Sequence, residues 1–525
     1  MKSLSYLNKY FIKYKWRFLL GILFIIGTNF FKVEMIEYFG DTIDALTTWG
    51  EDNKEKDVLL VALKTGGIFM LLSFCAGLIL FLQRQAIIIM SRLIEFDLKN
   101  EVYQQYQQLT FTFFKQNSTG DLINRISEDV NKVRMYLGPG VMYTINLAIL
   151  SIFVIYHMTK ISPYLTLIVL IPLPLMSLII YLVANRINKI STVVQKEQSY
   201  MSTLVQETFS GIRVAKAYSR EKEINEKFAR SAEAYKDKNM RLVLVNALFM
   251  PTIFALIGIS TILCIYLGGL LHFDNAINQG DIIKFIFYVN ILTWPFASVG
   301  WVISLIQRAA ASQERINEFL EIIPEIKNIS DAPFELSHKI EFKNVSYTYA
   351  NSGIMAVKNL SFVINKGETL GITGRTGSGK STIISLLLRQ IEPDSGEILI
   401  DGVNLREINL EGLRQVTGIV PQDVFLFSDT IRNNILFGSP TADATEDQLK
   451  HVTKTAHVYH DITGFDQGFD TLLGERGVNL SGGQKQRVSI ARALIRNPEI
   501  LILDDCLSAV DTQTEETILN NFKEM

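Results

Sequence analysis

At 525 residues the chain is too long for one domain, and a formal net charge of −2 leaves it without the basic face that nucleic-acid binding needs. Hydrophobic residues make up 48% of it and the mean hydropathy is +0.21, high for a soluble protein of this size. The apolar residues crowd into long runs in the first three-fifths of the chain, so a membrane domain is expected over 1–310, a linker over 311–339 and a soluble domain over 340–525.

In chain order, a short amphipathic segment comes first. Leu4, Leu7, Phe11 and Tyr14 share one helical face and Lys2, Lys9 and Lys13 lie elsewhere, the pattern of a helix lying in a membrane interface. Six stretches then reach the ~20 apolar residues that a bilayer crossing takes: 16–39, 58–82, 137–158, 162–184, 246–271 and 282–306. The first is followed by more spans, so it reads as an anchor and not as a cleaved leader. The connections near 40–57, 159–161 and 272–281 are short, whereas 83–136 and 185–245 are long, polar and helix-rich. Basic residues gather before the first span (Lys9, Lys13, Lys15, Arg17) and in both long connections, which puts the N-terminus, those connections and the C-terminal domain in the cytoplasm. Lys54, Lys56 and Lys160 are the few basic residues of the short loops. The long connections read as helices running past the bilayer, with reversals near 112–120 and 206–216 that serve as docking surfaces.

Asn29, Lys32, Glu34 and Glu37 place polar and charged groups in the first span; they are functional candidates or side chains that snorkel to the outer surface. Phe24, Phe30, Phe69, Phe249 and Phe254 either line a cavity or face lipid. Cys75, Cys264 and Cys506 are far apart and share no metal-ligand spacing, so they read as small buried side chains. After a charged helix at 313–321 and a linker between Pro324 and Pro333, short β-type runs alternate with helices from Ile340 onward, an α/β pattern.

Gly374-Arg375-Thr376-Gly377-Ser378-Gly379-Lys380-Ser381, followed by Thr382, fits G-x-x-x-x-G-K-[ST], with a strand-like run at 368–372 before it and a helix at 382–388 after it. Glycines let backbone N–H groups close around phosphate oxygens, and the helix N-terminus adds partial positive charge. Lys380 is positioned for the β- and γ-phosphates of ATP and Ser381 for Mg²⁺. Residues 501–504 form a buried-strand run ending in Asp504, a second Mg²⁺ ligand. Leu480-Ser481-Gly482-Gly483-Gln484 precedes a helix at 485–495, and small residues at a helix start again mean an anion site.

That last run resembles the signature motif of ATP-binding-cassette (ABC) proteins, which in the family contacts the γ-phosphate held by the other domain of a head-to-tail dimer. Other matches follow in family order. Tyr349 resembles the aromatic that stacks on adenine. Gln422, in Val420-Pro421-Gln422-Asp423, resembles the glutamine that senses Mg²⁺ and the transmembrane helices. Gly474-Glu475-Arg476-Gly477 resembles the segment that touches the coupling helices, and Ser508-Ala509-Val510-Asp511 the loop that crosses to the opposite site. The resemblance covers nearly the whole chain. It implies a type I exporter half: an all-α domain of six transmembrane helices, then an α/β phosphate-loop nucleotide-binding domain. It also implies a bacterial plasma membrane location, ATP and Mg²⁺ as cofactors, contact with membrane lipids, no nucleic acid, and export of small hydrophobic or amphipathic cargo, with lipid or peptide cargo as the alternative.

Two departures from the family pattern stand out. The family's water-positioning Glu after Asp504 is here Asp505, one methylene shorter, and none of the six histidines follows Asp511, where the family has one that contacts the γ-phosphate. The chain stops at Met525 inside an expected helix, so the cassette is expected to be incomplete at its C-terminus. Asp505 beside an intact signature resembles the degenerate-site chain of heterodimeric bacterial multidrug exporters. Lys380 and Asp505 then form a slow site, and Ser481 and Gly483 complete the partner's competent one. A non-hydrolysing gating subunit is the further alternative.

Overall fold

A computed structural model of the chain describes residues 2–49, 55–332, 334–439, 444–474 and 477–523. Lys54, Pro333, Glu475 and Arg476, and the side chains of Lys56 and Phe249, lie outside the described residues. The chain forms two compact units, Met1–Gln107 with Thr119–Ile322, and Gln108–Ser118 with Ile323–Met525.

In the first unit, six helices among the described residues are long and apolar enough to cross a membrane: Lys15–Thr47, Leu63–Gln108, Thr119–Ile161, Pro163–Ser210, Glu221–Phe273 and Gln279–Leu320. A bilayer crossing takes about 20 residues, so the second to fifth run far past one, as the long polar connections imply. Their apolar stripes meet in a core that includes Val33 and Ile36 of the first span, Val154 and Met158 of the third, Val169 and Met176 of the fourth, Cys264 of the fifth, and Phe285, Tyr288 and Leu292 of the sixth. The second and fifth spans differ from the rest. Only 6% of the most apolar stretch of each is buried, against 28–33% in the other four. Their outward apolar side chains, such as Met70, Phe74, Phe254 and Ile262, suit a helix surrounded by hydrocarbon. Phe30 and Phe69 are exposed as well. All three cysteines are free thiols, with Cys264 and Cys506 buried.

The N-terminal segment folds onto this bundle. Leu7 and Tyr10 are buried, Lys9 and Tyr10 bond Glu101 of the second span at 2.7 and 2.5 Å, and Lys13 bonds Asp97 at 2.6 Å. Lys9 and Lys13 are therefore paired within the protein.

Glu37 does not snorkel outward as one reading of the sequence allowed. Its carboxylate turns inward, accepting from Tyr288 Oη at 2.6 Å and lying 2.8 Å from His157 Nδ1 and 3.1 Å from Lys284 Nζ. One turn on, Asp41 holds the same ammonium at 2.6 Å, and Asp44 accepts from the backbone N–H of Gly280 at 2.7 Å. Acidic groups on one face of the first span thus meet the positive N-terminal end of the sixth. Gly40 and Gly280 permit the approach: a Cβ on Gly40 would strike the Lys284 stem, and one on Gly280 would strike the Gly40 carbonyl.

Among the described residues the second unit holds six strands. β1 (Lys339–Tyr349), β2 (Ile354–Asn365), β3 (Ser395–Ile400) and β4 (Val403–Asn404) form an antiparallel sheet in the order β2-β1-β3-β4. β5 (Thr417–Val420) and β6 (Ile500–Leu503) pair in parallel. Five of its helices carry the argument: α1 (Phe111–Gln116), α2 (Lys380–Leu387), α3 (Ile431–Leu436), α4 (Gly482–Leu494) and α5 (Thr512–Lys523). The strand expected at 368–372 does not form. The run is open chain with Leu370 and Ile372 each 43% exposed. A strand needs a hydrogen-bonded neighbour as well as β-type residues, and among the described residues this run has none.

Three arginines stitch this unit together. Arg492 of α4 is half-buried among rings and carbonyls. It donates to the carbonyls of Asn434 and Phe425 at 2.7 and 2.8 Å and to Asn434 Oδ1 at 2.8 Å, and burial pushes its pKa down to about 10. Arg389, just past α2, bonds Glu392 at 2.8 Å, and Arg406 bonds the same carboxylate at 2.6 Å. Burial alone would raise the Glu392 pKa, but these two guanidinium groups hold it below the ordinary carboxylate range.

Two outcomes follow. Arg492→Met should destabilise the cassette by about 3 kcal/mol, because buried acceptors lose a charged donor. Arg492→Lys should do nearly as badly, since one ammonium cannot span three separated oxygens. Scanning calorimetry of the detergent-solubilised chain checks this, and a lysine variant that melts like the wild type would refute it. For Glu392, a depressed folded pKa means that its stabilisation is full above the unfolded value of about 4.3 and is lost as pH falls through the folded value. Glu392→Gln should therefore melt lower than wild type at neutral pH, and the difference should shrink as the pH is lowered below about 4.

Candidate nucleotide site

The parallel pairing of β5 with β6 builds the centre of the site. Val420 is in register with Leu503, so the next residues along the two strands, Pro421 with Asp504 and Gln422 with Asp505, emerge side by side at the same sheet end. Gln422 Nε2 donates to Asp505 Oδ2 at 3.1 Å. Asp504 N donates to the Val420 carbonyl at 2.9 Å, continuing the ladder one step past the strand. Asp505 adopts a left-handed backbone (φ 50°), a conformation in which Asp and Asn are enriched over longer side chains.

The glycine-rich loop leads into α2, which begins at Lys380, one turn's edge earlier than its apolar residues suggest. Gly377 and Gly379 take φ of 79° and 93°, which a side chain resists, and a Cβ on Gly379 would also strike the Ala356 carbonyl. Lys380 Nζ donates to the carbonyls of Gly374 and Arg375 at 2.9 and 3.2 Å, so its ammonium lies over its own loop. Ile383 of α2 packs in the same apolar cluster as Ile500 and Ile502 of β6. Ser381 and Asp504 thus stand at the ends of two elements joined by one core. Tyr349 at the end of β1 reaches this helix, its Oη 3.0 Å from Thr382 Oγ1. Lys115 of α1 lies 5.9 Å from the Tyr349 ring, and Gln116 donates to Asn351 Oδ1 at 3.1 Å. The first reversal, near 112–120, therefore packs beside Tyr349; the second, 206–216, belongs to the membrane unit.

Ser481 is the N-cap of α4. Its Oγ accepts from the Gln484 N–H at 3.3 Å while the Gln484 side chain accepts from the Ser481 N–H at 3.0 Å, a capping box. This cap starts the helix at Gly482, earlier than the expected 485. Gln484 Nε2 donates to Asp461 at 2.9 Å. Ser481 Oγ still has its own proton to donate. A Cβ on Gly483 would meet the Ala509 carbonyl at 2.9 Å, so the 508–511 loop presses directly on the signature turn. Asp511 accepts from the Thr514 N–H at 3.0 Å, which holds its carboxyl below the ordinary range. Among the described residues no hydrogen bond or ion pair joins 374–382 to 481–484.

Sequence reasoning missed three positioning residues. Gln486 accepts from the Ala509 N–H at 3.1 Å and fixes the 508–511 loop. Asn434 and Arg492 fix the chain that follows Gln422: Asn434 Oδ1 accepts from the Phe427 N–H at 2.9 Å, and Arg492 bonds both Asn434 and the Phe425 carbonyl. No local pattern marks them, because each acts across more than one element.

Comparison with known proteins agrees with this geometry. Residues 18–296 match the family described as ABC transporter transmembrane region, and 357–508 match the ABC transporter family. The chain is 34% identical over 524 residues to the probable multidrug resistance ABC transporter ATP-binding/permease protein YheI of Bacillus subtilis, covering 99% of this chain and 88% of that one. It is 36% identical over 429 residues to the multidrug resistance-like ATP-binding protein MdlA of Escherichia coli, covering 82% and 72%. Against an ATP-dependent lipid A-core flippase of Syntrophus aciditrophicus it is 33% identical over 421 residues, covering 80% and 69%. With six apolar spans fused to a strand-containing domain that carries the phosphate loop, this chain belongs to the ABC transporter family, as a multi-pass plasma-membrane exporter subunit driven by ATP hydrolysis.

Proposed function

We propose that this chain is the slow-site half of a two-chain exporter of hydrophobic or amphipathic compounds. The observation that carries the reading is the pairing of Gln422 with Asp505 at the end of β5–β6. Asp505 stands where the family's Glu positions water, one methylene short, and a displacement near 1 Å can cost about 10²-fold in rate. Tyr349 stacks on adenine. Backbone N–H groups of Gly374 to Gly379 surround the phosphates, Lys380 swings from its own carbonyls to the β- and γ-phosphates, and Thr382 follows at the helix start. Ser381, Gln422 and Asp504 offer a hydroxyl, an amide oxygen and a carboxylate, hard oxygen donors of the kind Mg²⁺ accepts beside phosphate and water. Bound there, the ion neutralises charge on the transferred phosphoryl. Ser481, Gly482, Gly483 and Gln484, which share no hydrogen bond or ion pair with the chain's own phosphate loop among the described residues, complete the site of a second exporter half. The bare apolar faces of the second and fifth spans suit lipid and that second half. A lipid cargo is the second reading, favoured by the flippase relative.

Lys380→Ala should abolish nucleotide photolabelling of this subunit. In the two-chain complex, Asp505→Ala should lower ATPase activity by no more than about twofold, because its site contributes little. Ser481→Arg should lower it by about 10²-fold or more, because a bulky cation blocks the anion site that serves the partner. Ser481→Asp keeps the helix cap and should still fail by repelling phosphate, which separates folding from function. Equal losses from Asp505→Ala and Ser481→Arg, or a fully active homodimer, would overturn the reading.

A further inference from the structure

Asp461 puts a full negative charge beside a turn built to accept an anion. It lies in the short helix Tyr459–Thr463, 23 positions before Gln484. Ile462 docks that helix: it is 1% exposed and shares an apolar cluster with Leu480 and Val488, on either side of the signature turn. A carboxylate so placed opposes phosphate binding unless something offsets it, because like charges a few ångströms apart repel.

Asp461 is spent on two residues of α4. Its Oδ1 accepts from Gln484 Nε2 at 2.9 Å, and its Oδ2 lies 3.2 Å from Arg487 Nη1. All three side chains are half-buried. The Gln484 carboxamide is thereby held at both ends, its oxygen accepting from the Ser481 N–H at 3.0 Å and its nitrogen donating to Asp461. Turned over, it would set NH₂ against N–H and oxygen against carboxylate, two repulsions in place of two hydrogen bonds. Asp461 therefore selects the amide orientation that closes the capping box. What the closed box leaves free is what an anion needs: the Ser481 hydroxyl proton and the N–H groups of Gly482 and Gly483, which in the first turn of a helix have no carbonyl of that helix to bond. Ser481 and Gly482 are exposed and open to a phosphate from outside the chain.

Arg487 removes the electrostatic objection. It is the ion-pair partner of Asp461 among the described residues. Its guanidinium also donates to the carbonyls of Gly483 at 3.3 Å and His457 at 2.6 Å, so it is anchored on both sides of the carboxylate. The two charges cancel, and the helix start keeps its favourable field for an anion.

We propose that Asp461 is a positioning residue for the phosphate site of the second exporter half. It orients the Gln484 amide, which holds the Ser481 turn in the shape that presents its free donors to the γ-phosphate, while Arg487 cancels its charge. Asp461 touches no phosphate and acts through Gln484. This assignment rests on the two-chain reading above, in which the signature of this chain serves the partner's site.

The two-chain complex is reconstituted in vesicles, and vanadate-trapped photoreactive nucleotide is measured on each subunit separately, beside steady-state ATPase activity. Asp461→Ala should lower kcat and trapping on the partner subunit about tenfold, with KM for ATP moved less than about twofold, because alignment is lost chiefly in the transition state. Photolabelling of this subunit at its own phosphate loop should stay at the wild-type level, which a misfolded cassette would not allow. Asp461→Asn keeps an oxygen for Gln484 Nε2 and should return partner trapping to within about twofold of wild type. Arg487→Met leaves the carboxylate unbalanced and should cut partner trapping by about 10²-fold, and adding Asp461→Asn should recover about tenfold of that loss. The proposal is overturned if Asp461→Ala leaves partner trapping intact while Ser481→Arg abolishes it, an outcome that spares the two-chain reading. It is also overturned if Asp461→Asn is as slow as Asp461→Ala, or if labelling of this subunit falls in step with trapping on the partner. Partner trapping that survives Ser481→Arg as well overturns the two-chain reading and the proposal with it.

Discussion

Four residue pairs on two short parallel strands determine the geometry of the candidate nucleotide site. Parallel β-strands carry evenly spaced bonds and no choice of face once the register is set. With Thr417 on Ile500 and Val420 on Leu503, the residues just beyond both strands are fixed side by side. Slipping one strand by a residue would turn its side chains to the opposite face and separate Gln422 from Asp505. The rest of the cassette protects this pair. Arg492 and Asn434 hold the chain after Gln422, and Gln486 holds the chain after Asp505, all from helices packed against the same two strands.

The membrane unit shows how a polar joint is made in an apolar setting. Glu37, Asp41 and Asp44 lie on one face of the first span, and Gly280, Lys284 and Tyr288 on one face of the sixth. Two glycines at the crossing let the Lys284 stem lie against the first span's backbone. The carboxylates outnumber the ammonium, but Asp41 is largely exposed, so the surplus charge is solvated while the buried charge is matched.

Much of this was legible from local pattern. The six spans follow from composition, because a run of about twenty apolar residues satisfies its own backbone in hydrocarbon only as a helix. The phosphate loop and the signature helix follow from residue types at fixed spacing, since their chemistry is made by adjacent backbone groups. What pattern could not show was anything set by a second element. The inward turn of Glu37 depends on Lys284 and Tyr288, some 250 residues away in the chain. The run at 368–372 has strand-like residues, yet strand formation depends on a neighbour to pair with. The start of α4 at Gly482 was readable in principle, because Ser481 and Gln484 have the S-x-x-Q spacing of a capping box, a signal hidden behind the anion-site reading of the same residues.

The fifth span runs unbroken from Glu221 to Phe273. At 1.5 Å per residue the stretch from Glu221 to the start of its apolar run is roughly 40 Å long. A helix of that length behaves as a lever arm. A tilt of about 5° in the bilayer becomes a travel of roughly 3–4 Å at the far tip, with no hydrogen bond broken along the way. Mechanical reach of this kind comes from length alone, and it means that a change of one or two residues in the extension alters where force is delivered without touching the chemistry at either end.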